Sequence, residues 1–219
     1  MAKGTYIDGE RRGQLCVTKW FKTGVVFEKE FFELDIKAVA KAMEIIERFN
    51  PRIANKSIKI NVAEVWTFTG GGPGTAMPRG AKSLTEPFIQ NYQKFNSNTG
   101  WNDDRNDWAK VMQALSHFSY HCTLGDYLLC DLQGGIYQQE AVITDPVILS
   151  KTREYGVTDL GPEGISSFFS QHTCNPYCHP NWIKPNRPVQ HFHPLSGTTM
   201  VARPVPTAQT RPANTRYFG

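Results

Sequence analysis

The chain has 219 residues, of which 40% are hydrophobic, and a net charge of +4. This length allows one full core or two modest lobes, and no apolar run approaches the roughly 20 residues that a membrane span requires. The basic surplus lies at the end of the chain, because residues 180–219 contain five basic residues and no acid. The rest carries a net charge of −1, so composition excludes a membrane span and a generally basic folded part.

The first half of the chain predicts strands around one long helix. Residues 14–22 are apolar and β-branched enough for a strand, and Gly9 and Gly13 indicate a hairpin turn before it. Apolar residues then recur at helical spacing from Phe32 to a stop at Asn50-Pro51. Further strands are predicted at residues 57–68 and 83–89.

The second half predicts more helix. A helix begins with Asn106 or Asp107 as its cap, and the strand Tyr127–Cys130 follows it. A short helix with Ile165 and Phe168 leads into a run of metal ligands. The order predicts an α+β fold of two lobes, with an N-terminal lobe at residues 1–86, a C-terminal lobe at 87–179 and a proline-rich, basic, disordered tail at 180–219.

Three soft metal ligands lie within seven residues: His172, Cys174 and Cys178. A structural zinc site takes four nitrogen or sulfur ligands in a tetrahedron, so a fourth must come from elsewhere. His117 is our candidate, with His121 and His179 as alternatives. In the competing interpretation the two cysteines are buried thiols or a disulfide, and the histidine interacts with a helix end.

Cysteine usage bears on the compartment. The chain has five cysteines, an odd number, and opens with Met1-Ala2-Lys3-Gly4-Thr5-Tyr6, which is not an apolar signal segment. We therefore expect an intracellular, cytoplasmic protein with reduced thiols, a setting that favours thiolates on metal.

A second cluster is rich in oxygen ligands. Asp131 and Gln133 share one side of an extended strand end, and Asp145 follows a few residues later. Such a set suits magnesium, which takes one or two carboxylates together with waters and substrate phosphates. The alternative is that the two aspartates cap turns marked by Gly134 and Pro146.

Lys19 lies on an apolar strand, with the parity of Val17 and Phe21. A lysine on a half-buried face needs an anionic partner, for which a phosphate or a helix acid such as Asp35 would serve. Alternatively, its ammonium group extends to water.

Eight short motifs resemble, in order, those of the α-kinases, the atypical protein kinase family that includes myosin heavy chain kinases and elongation factor 2 kinase. The resemblance covers residues 4–179 and predicts the two-lobed fold of those kinases. The motifs are Val17-Thr18-Lys19, Glu86-Pro87-Phe88-Ile89, Lys94-Phe95-Asn96-Ser97-Asn98-Thr99-Gly100, Ser116-His117-Phe118, Asp131-Leu132-Gln133-Gly134, Thr144-Asp145-Pro146, Gly161-x-x-Gly164 and His172-x-Cys174-x-x-x-Cys178.

The resemblance implies a role for each candidate residue. ATP would be contacted by Lys19 at its phosphates and by Glu86 and Phe88 at a hinge that receives adenine. Asp131 would be the catalytic aspartate. The remaining implied sets are Gln133 and Asp145 for magnesium, His117, His172, Cys174 and Cys178 for a structural zinc, and Gly156, Gly161 and Gly164 for a loop that binds the peptide substrate.

The resemblance thus predicts an ATP- and magnesium-dependent serine/threonine protein kinase that acts on a protein substrate. We expect neither a membrane nor a nucleic acid as a partner, although a zinc-dependent nucleic-acid binder that uses the basic tail is a further interpretation. The alternative from another class is an inactive α-kinase-like scaffold that binds nucleotide or partners. It is motivated by the eighteen residues before Lys19, which are few for a complete small lobe.

Overall fold

The computed structural model describes residues 1–20, 25–70, 77–103 and 105–201. Its α-helices are α1 (Glu33–Phe49), α2 (Asp107–Cys122) and α3 (Gly161–Gln171), and short 3-10 helices span Lys29–Phe32 and Asn50–Arg52. Its strands are β1 (Ala2–Thr5), β2 (Leu15–Lys19), β3 (Ser57–Ile60), β4 (Glu64–Thr67), β5 (Lys82–Pro87), β6 (Gln93–Lys94), β7 (Tyr127–Cys130), β8 (Gln133–Tyr137), β9 (Glu140–Thr144) and β10 (Val147–Ser150).

The first sheet carries the lysine strand. Its order is β1-β2-β5-β4, and each neighbouring pair is antiparallel. The β1–β2 hairpin confirms the predicted turn, since Gly9 and Gly13 have φ angles of 77° and 83°, which favour glycine. Lys19 ends β2 opposite Leu84 of β5, in the middle of this sheet.

The second sheet has the order β3-β9-β8-β6, and β7 pairs separately with β10. Here the structure differs from the single strand predicted for residues 57–68, because β3 pairs in parallel with β9 whereas β4 belongs to the first sheet. Asn61 accounts for the break. Its backbone N–H donates to the Ile143 carbonyl at 2.8 Å, and its side-chain amide donates to the Pro87 carbonyl at 2.8 Å, so the chain crosses between the sheets here.

Both long helices confirm the sequence-based predictions. In α1 the buried face consists of Ala38, Ala42, Ile45, Ile46 and Phe49, whereas Ile36 and Met43 of the predicted stripe are exposed. In α2 the Asn106 side chain caps the helix by accepting a hydrogen bond from the Ala109 N–H at 2.8 Å. The strand Tyr127–Cys130 and the short helix α3 are also present.

The predicted boundary at residue 86 does not divide the packing. α1 and β3 precede it, yet their residues share one apolar core with α2, β9 and β10. The reason is the parallel pairing of β3 with β9, which joins the middle of the first half to the second sheet. Among the described strands, β1, β2, β4 and β5 form the separate first sheet.

Residues 180–201 differ from the predicted disordered tail. Trp182 is buried between Phe49 and Phe118, with ring centroids 6.5 Å and 5.3 Å away, and Phe192 packs on the cluster that contains Phe169. Single aromatic side chains fix this segment despite its polar composition. Residues 202–219 lie outside the described residues. In the described part of the chain, no helix has the length and apolarity needed to cross a bilayer.

Candidate active site

A cavity of about 300 Å³ opens between the two larger sheets. Leu84 and Glu86 line it from the first sheet, Gln133 and Thr144 from the second, and apolar residues of α1 close one side. The predicted residues Asp35, Asp131 and Asp145 also line it. The cavity therefore combines an apolar wall with several oxygen-bearing side chains, as small-molecule sites commonly do.

Lys19 joins two acidic residues that line this cavity. Its ammonium forms close ion pairs with Glu86 and, at 2.6 Å, with Asp145 Oδ2. The Thr144 hydroxyl donates to the second oxygen of Glu86 at 2.6 Å. The anionic partners of Lys19 are thus Glu86 and Asp145, while Asp35, the acid proposed from the sequence, lines the same cavity.

Burial and charge oppose each other in this cluster. Burial by itself lowers the pKa of Lys19, but the charges of Asp145 and Glu86 outweigh it, and the pKa is raised. For Glu86, which is 3% exposed, burial raises the pKa even though Lys19 acts against that shift. Lys19 therefore stays an ammonium, and its buried partner Glu86 fixes its position next to the cavity lining.

Asp131 follows β7 directly and is 1% exposed. Its loop is held by Asn96, whose side-chain oxygen accepts from the Leu132 N–H at 2.9 Å and whose amide donates to Ser116 Oγ at 2.9 Å. Lys94 Nζ lies 2.9 Å from Asp131 Oδ1. The carboxylate is therefore fixed in position and paired with a cation while it lines the cavity.

A β-hairpin brings the proposed magnesium ligands together. Gln133 begins β8 directly opposite Thr144, the last residue of β9, so Asp145 comes next to Gln133 although twelve positions separate them. Asp131 and Asp145 both have left-handed backbones, with φ angles of 59° and 48°. Such conformations are uncommon for residues other than glycine and cluster at functional sites.

His117, His172, Cys174 and Cys178 meet in a second cluster, in which all four potential ligand atoms lie within 4.8 Å of one another. His117 Nδ1 is 3.2 Å from His172 Nε2 and 3.6 Å from Cys174 Sγ, and Cys178 Sγ is 3.8 Å from His172 Nε2. A tetrahedral zinc with bonds of about 2.0–2.3 Å separates its ligand atoms by roughly 3.3–3.8 Å. The four side chains therefore fit such an ion.

The protonation states also suit a metal. Burial lowers the pKa of His117 to about 4 and, with the help of His117, that of His172 to about 3, so both rings are neutral near pH 7. His117 Nε2–H donates a hydrogen bond to the Ile183 carbonyl at 3.1 Å, so Nδ1 carries no proton and faces the cluster. All five cysteines are free thiols, so a disulfide between Cys174 and Cys178 is not formed.

Three predicted residues have surroundings that differ from the sequence-based expectation. Gly161 and Gly164 do not lie in a loop. They are buried in the first turn of α3, where Gly161 has a φ angle of 68°, which favours glycine, and a Cβ at Gly164 would come within 2.7 Å of Leu160. Gly156 does lie in the preceding loop, with a φ angle of 86°. The described cavity lining does not include Phe88, and Lys3 Nζ lies 4.2 Å from the centroid of its ring.

Sequence reasoning assigned no role to four side chains of the site. Lys94 and Asn96 lie in a motif that was identified only as a whole. Lys94 pairs with Gln133 across β6 and β8, so a correct pairing of these two strands would have placed it at the site. Thr144 directly precedes Asp145. Thr198, whose hydroxyl donates to Asp131 Oδ2 at 2.7 Å, lies in a segment whose composition gave no signal of structure.

The buried Lys19–Glu86 ion pair, next to a cavity that Asp131 lines, resembles the lysine–glutamate pair and the aspartate of protein kinase active sites. The model of the alpha-kinase family matches residues 1–178. The chain therefore belongs to the alpha-kinase family.

Individual relatives agree with this membership. The chain is 35% identical over 177 residues to Alpha-protein kinase 1 of Dictyostelium discoideum, which covers 79% of this chain and 12% of that protein. It is 32% identical over 171 residues to Myosin heavy chain kinase D of the same organism, which covers 75% of this chain and 17% of that protein. The chain thus spans less than a fifth of the length of either relative.

Solved structures show the same fold. The alpha-kinase domain of Myosin-II Heavy Chain Kinase A superposes with a TM-score of 0.64 at 25% identity, covering 77% of this chain and 64% of that chain. An alpha kinase from Entamoeba histolytica superposes with the same TM-score at 20% identity, covering 86% of this chain and 76% of that chain. The predicted atypical kinase fold is confirmed.

Proposed function

We propose that this protein transfers the γ-phosphoryl group of ATP to a serine or threonine hydroxyl of a protein. The observation that carries the proposal is that Asp131, Gln133 and Asp145 line one cavity and that Lys19 pairs with Asp145 and Glu86, which both line it. Phosphoryl transfer depends on positioning and on neutralising phosphate charge more than on covalent chemistry, and these residues supply both. A related domain, 25% identical, has been solved with ATP as an inactive variant, which supports ATP as the donor.

Lys19 would bind the ATP phosphates. Its ammonium pairs with Glu86 and Asp145, so its direction is set before nucleotide enters, and exchange of the Asp145 partner for a phosphate oxygen would keep the pair with the buried Glu86. The apolar wall of the cavity suits the adenine ring. Glu86 and Phe88 would contribute to the adenine site through the backbone at the end of β5, because the Glu86 side chain is engaged with Lys19.

Gln133 and Asp145 would hold magnesium. An amide and a carboxylate oxygen at one end of a hairpin form a hard-ligand set of the kind this ion prefers, with places left for phosphates and water. When bound, the ion neutralises charge on the β- and γ-phosphates. Binding would compete with Lys19 for Asp145, freeing the ammonium to interact with phosphate.

Asp131 would orient the acceptor hydroxyl and take its proton. Its carboxylate is buried, and Asn96 and Lys94 fix its loop and its charge. A general base must lie within hydrogen-bond reach of the proton it removes, and a rigid carboxylate that opens onto the phosphate cavity meets this need. Gly156 and its loop would contact the peptide that carries the hydroxyl, while Gly161 and Gly164 would position that loop by packing.

His117, His172, Cys174 and Cys178 would bind one structural zinc. The cluster uses all four ligands and leaves no open position, as structural zinc sites do. It joins α2, the end of α3 and the segment after it, so the ion would stabilise the part of the fold that supports Asp131 and would not touch the reacting groups.

The alternative of an inactive scaffold loses its motivation. It rests on the short segment before Lys19, but β1 occupies that segment and completes a four-stranded sheet around the lysine strand.

The proposed activity is tested by incubating the protein with labelled ATP, magnesium and a basic acceptor such as myelin basic protein. Replacing Asp131 with asparagine removes the base at nearly constant shape, and we expect incorporation to fall by about 10²–10⁴-fold. Asp126→Asn is the matched control, because that carboxylate is exposed and pairs with Lys151 at the surface. Equal incorporation by the wild type and Asp131→Asn would refute the assignment.

A further inference from the structure

The segment after the zinc cluster returns to the active site. Residues 195–201, called here the strap, run along the cavity, and two of them, Thr198 and Met200, contribute to its lining. The proposed function gives the strap no role, and its composition predicts no structure. Its position therefore needs a separate explanation.

Buried side chains hold the strap in place. Asn98 is fully buried, and its amide donates to the Thr199 carbonyl at 2.7 Å while its side-chain oxygen accepts from the Thr199 N–H at 3.0 Å. Thr99 is 1% exposed, and its hydroxyl accepts from the Leu195 N–H at 3.0 Å. Paired hydrogen bonds to backbone groups fix the path of a chain independently of its side chains.

The strap also contacts the loop before α3. The Val201 N–H donates to the Val157 carbonyl at 2.8 Å, and Asn98 bridges the strap to the Thr158 carbonyl at 2.8 Å. This loop contains Gly156 and is the part of the fold expected to contact a peptide substrate. The strap therefore runs from the carboxylate proposed as the base to the loop proposed to contact a peptide substrate.

Thr198 is the residue that this path presents to the base. Its hydroxyl donates to Asp131 Oδ2 at 2.7 Å, and Lys94 Nζ lies 3.4 Å from the same hydroxyl and 2.9 Å from the other carboxylate oxygen. A hydroxyl that donates to a positioned carboxylate at this distance is arranged for removal of its proton.

We propose that Thr198 is an intramolecular phosphoacceptor, which the strap holds at Asp131. The inference rests on the proposed kinase function, which supplies ATP as the donor. In the transfer, the Thr198 oxygen forms a bond to the γ-phosphorus, the bond between that phosphorus and the β–γ bridging oxygen breaks, and its electrons leave with ADP. The proton of Thr198 passes to Asp131.

Two consequences follow from the geometry. A tethered acceptor is present at an effective concentration on the order of mM, so external acceptors must displace it. After transfer, phosphothreonine carries a charge of about −1.5 to −2. Once Asp131 has released the transferred proton to water, its carboxylate repels this charge, and Lys94 offsets part of the repulsion. Phosphorylation of Thr198 therefore drives the strap away from the base and opens the acceptor position.

The test uses the full chain after treatment with a phosphatase. It is incubated with labelled ATP and magnesium over an enzyme dilution of about a hundredfold, and the phosphorylated positions are mapped by mass spectrometry. We expect phosphate on Thr198 with a rate constant that does not change on dilution, because the acceptor belongs to the same molecule. A rate constant that rises in proportion to enzyme concentration would overturn the proposal.

Variants of neighbouring threonines sharpen the result. Thr198→Val keeps the shape without the hydroxyl and should remove this phosphate, Thr198→Ser should retain phosphorylation at the position, and Thr199→Val should leave Thr198 labelled, because Thr199 is held through its backbone. Labelling of Thr199 in place of Thr198 would contradict the geometry.

Myelin basic protein, assayed in parallel, separates this inference from the proposed function. If the wild type labels this external acceptor but never Thr198, the inference fails and the kinase function stands. If neither acceptor is labelled, the kinase function fails and the inference fails with it.

Discussion

Replacing Lys19 with methionine should separate catalysis from stability in this domain. The ammonium pairs with Glu86 and Asp145, and its own side chain is 18% exposed. At 2.6 Å and an effective dielectric constant of about 20, the attraction to Asp145 is roughly 6 kcal/mol before the cost of desolvation. The net cost of removing Lys19 is much smaller, because Asp145 is 48% exposed and becomes solvated when the lysine is lost.

The loss of folding free energy in Lys19→Met depends mainly on Glu86. Its side chain is only 5% exposed, and burial already raises its pKa while Lys19 opposes the rise. Without the lysine the pKa rises further, and the carboxyl group takes up a proton instead of staying buried and unpaired. Removing one partner of a buried pair costs about 3–5 kcal/mol, and this neutralisation places the expected loss at about 2–3 kcal/mol.

The pH dependence has a definite sign. A carboxyl group whose pKa is raised on folding disfavours the folded state once it is ionised, so this cost is absent below the unfolded pKa, grows as pH rises from the unfolded pKa to the folded one, and is fully present above the folded pKa. The stability deficit of Lys19→Met should therefore be smaller at about pH 5 than at about pH 8. The double variant Lys19→Met/Glu86→Gln should recover most of the loss at the higher pH.

Phosphotransfer should respond differently. Loss of a preorganised cation at the phosphates costs about 10²–10³-fold in kcat, and the second substitution cannot restore it. Urea unfolding followed by circular dichroism measures stability, and labelled ATP measures transfer, with Lys82→Met as a control for a surface lysine of the same sheet. Retention of transfer by Lys19→Met, or recovery of transfer in the double variant, would refute the role given to Lys19.

Two further predictions concern the supporting structure. The purified protein should hold about one zinc per chain. Cys174→Ser or a chelator should lower its thermal midpoint sharply, because structural zinc contributes its binding energy to folding, whereas Cys122→Ser, outside the cluster, should not. Well-folded protein without metal would contradict this prediction. A Cβ at Gly134 would overlap the Val142 carbonyl, so Gly134→Ala should lower the free energy of unfolding in urea by about 1–3 kcal/mol and weaken magnesium-dependent transfer. Gly70 has open space around it, so Gly70→Ala should leave the free energy of unfolding unchanged. Equal stability of these two glycine variants would contradict the hairpin geometry.

Local patterns predicted the elements well where chain chemistry alone decides them. Asn106 as a cap, Asn50-Pro51 as a stop and the glycines before β2 are short-range signals, and each has its expected effect. The four residues of the proposed zinc site were predicted together because three of them are neighbours in sequence and tetrahedral coordination requires a fourth.

Long-range pairing limited the rest. Asp35 was a reasonable partner for Lys19 by proximity in sequence, but Glu86 and Asp145 lie closer only because β2 pairs with β5 and because the β8–β9 hairpin returns to the same place. The division of residues 57–68 into two sheets likewise depends on the parallel pairing of β3 with β9. Such contacts are properties of the topology and carry no local pattern.

The tail shows a different limit. Its composition predicts disorder, since few apolar residues are available to offset chain entropy. The described part is nevertheless ordered, because Trp182 enters the main core and Asn98 and Thr99, two buried polar residues from another motif, bind its backbone. The composition of a segment does not reveal which buried side chains elsewhere in the chain form hydrogen bonds with its backbone.

In the proposed reaction, the protein transfers the γ-phosphoryl group of ATP with Asp131 as the general base. The most direct measurement incubates the wild type and Asp131→Asn with myelin basic protein and ATP labelled at either the γ- or the α-phosphate, followed by phosphoamino acid analysis. We expect label on serine or threonine from γ-labelled ATP alone, and a large loss of that label in Asp131→Asn. Label from the α-phosphate, or equal γ-label in both proteins, would contradict it.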